Sequence, residues 1–481
     1  MRKIHRGGTL VREYEYDLGA YKTGMRRTDR LADGTMRVRE IVADRYGNPV
    51  RIMDGAGQTL ITYTYNDKRQ LVKVRDETTE RETAFTYNAY TGEVTSVTED
   101  GVTVAEKFDY GKRLASRTQW EDNKTEEYGY TYDDALKNRL TKITKNGGEW
   151  KTFSYDGFDR MTEERTALDG DGAYEKVTAY RADGTINRTE HTTPLYAYEE
   201  SYGFDQSGNI TGIYTDRGDV RYTYDAYGRL ITEENERLGK TWKYGYDSRG
   251  NITYKEETDS GTGSGERRVY EYEPYTDRLK RIRKYRETGY YTGPSVLNRG
   301  AAGAGTPGGK TSMETWYLGG FAGLSLTPGP EWYQYGEEEY GTDSAGNALQ
   351  FRSNVVEWDN RRLKKYGDVN YTYDGYGKRR SKKKEGEEEH TYEWLGEELK
   401  TERYGTHTLR YEYGVNGVTE IELDGERYIY VRNGQGDVVG ILDGSGRLTA
   451  EYLYDAWGNH EVKCYDAEGE PVTDEAAIRN T

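Results

Sequence analysis

A single cysteine, Cys464, serves 481 residues, so no intrachain disulfide framework holds this chain. That scarcity leaves the compartment open, because many exported bacterial proteins lack cysteine. No apolar run approaches the ~18 residues of a membrane span. The opening stretch "MRKIHRGGTLVREYEY" is basic but has no apolar core, so it does not read as a signal peptide. Leu, Ile, Val and Phe together make only about 15% of the residues, and the formal net charge is −16. Such values are typical of disordered chains. Net acidity with interspersed Lys and Arg also offers no basic face for a nucleic-acid backbone.

One abundance argues against disorder. The chain has 48 tyrosines, and they recur at a period. Tyr65, Tyr87, Tyr110, Tyr132 and Tyr155 follow one another at about 22–23 residues. The series resumes at Phe204, Tyr224, Tyr246 and Tyr272, and again at Tyr373, Tyr430 and Tyr454, with a degenerate copy around Tyr180. Tyr joins a large apolar ring to a polar tip. Regularly placed, it can bury ring area beside a wet surface. At this length the chain is several domains or one elongated repeat body.

Each unit reads locally. In "YTYDAYGRL", Tyr222 and Tyr224 stand two apart and face one side of a strand. Asp225 bonds its own following backbone and Gly228 supplies positive φ, which together make a turn. Arg229 follows, and Leu230 starts the next strand. Tyr246, Asp247, Gly250 and Asn251 repeat the pattern with Asn in place of Arg, and Tyr454, Asp455 and Gly458 repeat it near the end. A second turn lies inside the period, at Asp100-Gly101, Asn146-Gly147 and Asp424-Gly425. Asx-Gly between alternating strands is the strongest short hairpin signal. One period is therefore two strands of about eight residues and two turns. The run "SKKKEGEEE" fits the same plan. A two-residue turn at Glu385-Gly386 sets Lys384, Lys383 and Lys382 opposite Glu387, Glu388 and Glu389, each pair favourable by roughly 0.2–1 kcal/mol. The expected fold is all-β, a long antiparallel ribbon of repeated hairpins.

These repeated Tyr-Asp-x-x-Gly-Arg/Asn-Leu/Ile units resemble the Rhs (rearrangement hotspot) and YD-repeat family, from roughly Tyr63 to Trp457. The stretch "YIYVRNGQGDVVGILDGSGRLTAEYLYDAWGN", Tyr428–Asn459, is similar to the start of the family's C-terminal core segment. The resemblance implies a ribbon spiralling into a hollow shell around a C-terminal toxin or effector domain. It also implies a secreted or cell-surface protein, as in bacterial polymorphic toxins, wall-associated proteins and teneurins. The family's closing Asp-Pro-x-x-Gly-Arg motif does not occur before the final "EAAIRNT". The expectation is an incomplete shell segment whose effector lies outside this chain.

Other signals are weaker. "AGTPGGKT" (Ala304–Thr311) matches a loose phosphate loop through Lys310, but neither a buried strand before it nor a helix after it is evident. A calcium loop beginning at Asp169 and Asp171 meets Tyr180 where a bidentate Glu is needed. His5, His191, His390, His407 and His460 have no metal-ligand spacing. His460 near Cys464 needs spatial support before it reads as a nucleophile pair. The expectation is a non-enzymatic chain with no catalytic, cofactor or metal residues. The alternative is a cell-surface adhesion or carbohydrate-binding module, its tyrosines stacking on cell-wall glycans or meeting a receptor. By composition, 1–60 are degenerate N-terminal repeats and 61–290 the regular array. A Gly/Pro-rich loop insertion spans 291–330, repeats leading into the core segment span 331–460, and 461–481 form a frayed tail.

Overall fold

A computed structural model describes residues 2–6, 9–19, 23–30, 36–133, 138–274, 277–287, 332–343, 347–351, 354–359, 362–415 and 417–472. The Gly/Pro-rich insertion and the phosphate-loop match lie outside these residues. Among the described residues there is no helix. The strands form two sheets, of 26 and 14 strands, and each strand pairs antiparallel with the next in sequence. The first runs from Arg2–Arg6 to Trp332–Glu339, the second from Gln350–Phe351 to Pro471–Val472. Among the described residues neither closes on itself.

Turn chemistry accounts for the hairpins. At Asp225 the backbone N–H donates to Arg229 O at 2.9 Å, and the Gly228 N–H returns to Asp225 O at 3.0 Å. Gly228 has φ 75°, a conformation only glycine takes without strain. The ladder shifts register between Thr223 and Tyr224, so the turn ends in a bulge. At the alternate ends, Asp100-Gly101, Asn146-Gly147 and Asp424-Gly425 have positive φ at both residues. That is the two-residue turn whose twist matches its flanking strands.

The second sheet lies along the first, in the same sense. Asp76 accepts the Gly375 N–H at 2.6 Å, Glu99 that of Gly396 at 3.0 Å, Glu200 that of Gly434 at 2.8 Å and Glu233 that of Ala456 at 3.0 Å. Both members of these pairs rise together in number. The ribbon has therefore wound round and passed over its own earlier course, rather than doubling back. The largest apolar cluster joins the two passes, with Leu168, Tyr174, Tyr196 and Tyr198 from the first and Ile429, Val431, Val439 and Leu442 from the second. Others, such as Tyr128, Ile143, Trp150 and Phe153, belong to one pass.

Two local expectations need correction. The Glu385-Gly386 turn exists, with Gly386 at φ 81° and the Glu387 N–H on Lys384 O at 3.1 Å. Its register differs by one: Lys382 faces His390, not Glu389, and the partner strand starts at His390. Residues 385–389 stay exposed, because neighbouring like charges prefer water to a ladder. Lys384 still reaches Glu387. The ladder also continues past 460, where loss of pattern was expected. His460–Tyr465 pairs with Leu448–Tyr454, and Asp466 builds another turn by accepting the Glu468 and Glu470 N–H groups.

Candidate functional site

The repeat places three side chains in one recurring device. The second tyrosine of the unit donates its hydroxyl to the carbonyl of the residue opening the strand before its own. Tyr224 bonds Ile210 O at 2.7 Å, Tyr246 bonds Leu230 O at 2.8 Å and Tyr454 bonds Val438 O at 2.8 Å. The same bond recurs at Tyr65, Tyr87, Tyr132, Tyr155, Tyr180 and Tyr272, and at Tyr373 and Tyr413 it reaches the second residue of the preceding strand. It ties the two strands together beyond the point where their own ladder ends, at Gly212–Arg221 for Tyr224 and at Thr232–Lys243 for Tyr246. Tyr222 lies beside this device, packed against the cluster of Tyr202, Ile213 and Val220.

The turn acid is the second part. Asp225 accepts the N–H groups of Tyr227 and Arg229 at 2.8 and 3.0 Å, and its other oxygen takes the Arg229 Nε–H at 2.7 Å. The Arg229 N–H, with its guanidinium, holds this carboxylate below its ordinary pKa. Asp247 is held down likewise, by the Asn251 side chain first and then by the Asn251 N–H. Gly250 and Gly458 have φ 92° and 79°. Burial pushes Asp455 up, but the Lys255 ammonium at 2.9 Å and the Asn459 amide outweigh it and hold it low. The third part is the arginine. Arg229 also donates to Asp247 O of the next unit at 2.9 Å, and Arg139, Arg160 and Arg362 reach forward in the same way. Each such turn is tied to its successor along one edge of the ribbon.

Tyr246→Phe is expected to cost about 1 kcal/mol, the net worth of one hydrogen bond. Faster amide exchange confined to the strands flanking Leu230 would show it. Exchange unchanged there would mean the hydroxyl carries no load.

The seam between passes is polar. Lys151, His191, Glu200 and Glu233 are fully buried. Glu200 accepts from Thr189, Tyr198, Tyr202 and the Gly434 N–H. Glu420 accepts from Trp150 Nε1 at 3.0 Å and Arg427 at 2.8 Å, with Lys151 at 3.6 Å. Burial raises the pKa of Glu233 and Glu99. None of these acids was marked by sequence, since their partners across the seam lie more than two hundred residues away. Glu99 closes its strand, but Glu200, Glu233 and Glu420 lie in the middle of theirs, where an acid reads like any other strand residue.

The remaining candidates separate. Asp169 pairs with Arg427 at 3.2 Å. Cys464 is buried opposite Ala450, whereas His460 packs on the rings of Tyr452 and Tyr454. No group of three or more His, Cys, Asp or Glu among the described residues is placed to hold a metal.

Comparisons with known proteins follow this geometry. Residues 141–273 match the Teneurin YD-shell family model. The tRNA nuclease WapA of Bacillus subtilis (strain 168) is 26% identical over 263 residues, 53% of this chain and 9% of that protein. The probable deoxyribonuclease RhsA of Dickeya dadantii is 27% identical over 139 residues, 27% of this chain and 9% of that protein. A crystal structure of TcdB2-TccC3 without its hypervariable C-terminal region aligns over 94% of this chain and 27% of that one, with 12% identity and a TM-score of 0.49. The chain thus spans about a tenth of the length of these curated relatives. The Tyr-Asp turns, the family-model match over residues 141–273 and the WapA and RhsA relatives together support the Rhs/YD-repeat shell family for this chain.

Proposed function

We propose that this chain is a non-enzymatic wall segment that encloses an effector domain carried C-terminal to the repeats, in a secreted or surface-displayed toxin. The observation that carries this reading is the same-sense overlap of the two passes. A ribbon that winds over itself makes a curved wall, and a seam of buried hydrogen bonds fixes its curvature. Charged residues make up 32% of the sequence, so such a wall offers an enclosed domain little apolar surface to unfold on. Sequestration is steric, and the wall needs no catalytic group. The experiment fuses a protease-sensitive reporter to the C-terminus of the full chain. Protection of the reporter by tenfold or more over the free reporter supports enclosure, and equal cleavage rates rule it out for this chain.

One observation favours a second reading. The aromatic residue inside the Tyr-Asp turn projects from the ribbon edge: Tyr90, Phe158 and Tyr227 are 98%, 82% and 85% exposed. A spaced row of rings suits stacking on cell-wall glycans. Retention on purified wall polysaccharide that falls when Tyr90 and Tyr227 are both changed to Ser supports it. Retention unchanged in that double variant counts against it.

A further inference from the structure

His191 lies on Ile186–Thr192 with no solvent exposure. Its ring is flanked by Tyr174 at 6.0 Å and Tyr198 at 5.8 Å between centroids, one from each neighbouring strand. Nδ1 is bonded to the Tyr174 hydroxyl at 2.8 Å, and Nε2 has no partner. Tyr174 and Tyr198 belong, with Leu168 and Tyr196, to the first-pass half of the largest apolar cluster, against which Ile429, Val431, Val439 and Leu442 of the second pass are packed. The imidazole therefore stands directly behind the contact that holds the second pass to the first.

We propose that His191 is an acid-sensitive latch, whose protonation releases the strands Glu426–Arg432 and Val438–Asp443 from the wall formed by Ala173–Tyr180 and Ala197–Phe204. A neutral imidazole, with Nδ1 on Tyr174, leaves one uncharged nitrogen unpaired, a modest cost. An imidazolium must donate from both nitrogens, and nothing accepts from Nε2. The neighbouring charges do not help. Lys176 on the adjacent strand is a like charge, held by Arg432 O at 2.8 Å. Glu200 is occupied by its four donors, and Glu164 is held by Lys151 at 3.2 Å. Arg432 is a further cation, bonded to Gly436 O and Val418 O. Arg237 is paired with Glu451 at 3.4 Å. The unpaired cation would be buried against apolar side chains, which is costly unless the contact opens.

Burial, helped by Lys176, pulls the His191 pKa down to about 3. A folded-state value below the open-state value of ~6.5 means that contact is strongest above ~6.5 and weakens as pH falls toward 3. The latch stands on this contact alone and does not depend on an enclosed cargo.

The test is amide exchange of the full chain, read by mass spectrometry and corrected for intrinsic rates, between about pH 6.5 and 4.5. Opening of 426–443 should rise by about tenfold per pH unit in the wild type and lose that slope in His191→Gln. A wild-type profile flat over this range, or the same slope in both proteins, overturns the proposal. If His191→Gln does not fold, Lys176→Met decides. Removing the nearby cation lets the folded protein protonate more readily, so with the pH series carried down to about 3 its slope should level off at a higher pH than in the wild type. An unmoved profile overturns the latch.

Discussion

Glu420→Ala is expected to destabilise the protein by roughly 3–5 kcal/mol, because it removes one member of a buried ionic group and strands the others. Trp150 Nε1, Lys151 and Arg427 converge on this carboxylate, and Lys151 also lies 5.1 Å over the Trp150 ring. Trp150 and Lys151 belong to the first pass and Glu420 to the second, so the damage is expected at the seam. Burial raises the Glu420 pKa, but Lys151 and Arg427 outweigh it and hold the acid below its ordinary range. A carboxylate depressed in the folded state stabilises above its unfolded pKa, and that contribution is lost as pH falls through the folded value. The Glu420 contribution therefore fades only below ~4.5, later in an acid titration than the onset expected for His191 at ~6.5. Urea unfolding followed by tryptophan fluorescence checks the variant. Glu420→Gln, which keeps an acceptor for Trp150, should lose less. Equal losses in the two would mean that the charge, not the hydrogen bond, carries the interaction.

Leu442→Ala is the second large effect, at about 2–5 kcal/mol for a fully buried leucine in a rigid cluster. Leu442 has no exposure, and its neighbours Ile429, Val431 and Tyr198 come from both passes. In a ribbon whose strands meet mainly their sequence neighbours, stability is close to a sum of local terms. The expected result is early release of the second pass, with the ladder around Tyr65 and Tyr87 still protected from amide exchange. Tyr110, fully exposed at a turn, provides the contrast. Its change to Ser should stay within ~0.5 kcal/mol of the wild type. Uniform loss of protection in Leu442→Ala would show that both passes unfold as one unit.

The local grammar was legible because its causes are local. Asp225 and Gly228 make their turn from groups within five residues, so the residues that predict it also build it. The same holds for Asp100-Gly101. The charge hairpin shows where that reasoning stops. Pairing Lys against Glu fixed the turn but missed the register, because Glu387, Glu388 and Glu389 gain more from water than from the ladder. The tyrosine device was half visible. Its spacing marked a strand, but the hydroxyl target lies on the preceding strand, past the end of the shared ladder, and spacing does not show that. Glu200, Glu233 and Glu420 were illegible. Their partners are chosen by how tightly the ribbon curves and by how much chain separates the passes, and neither quantity is written in a short motif.

The seam also orders events in time. Asp76 and the Gly375 N–H are separated by 299 residues. At ~5–20 residues per second of synthesis, the acid emerges roughly 15–60 s before its partner exists. An apolar edge left bare for that interval would invite aggregation. A carboxylate edge does not, since water is an adequate stand-in until the later strands arrive. The nascent chain can thus keep a half-built wall soluble, and it is the later hairpins, such as the one at Gly375, that displace that water.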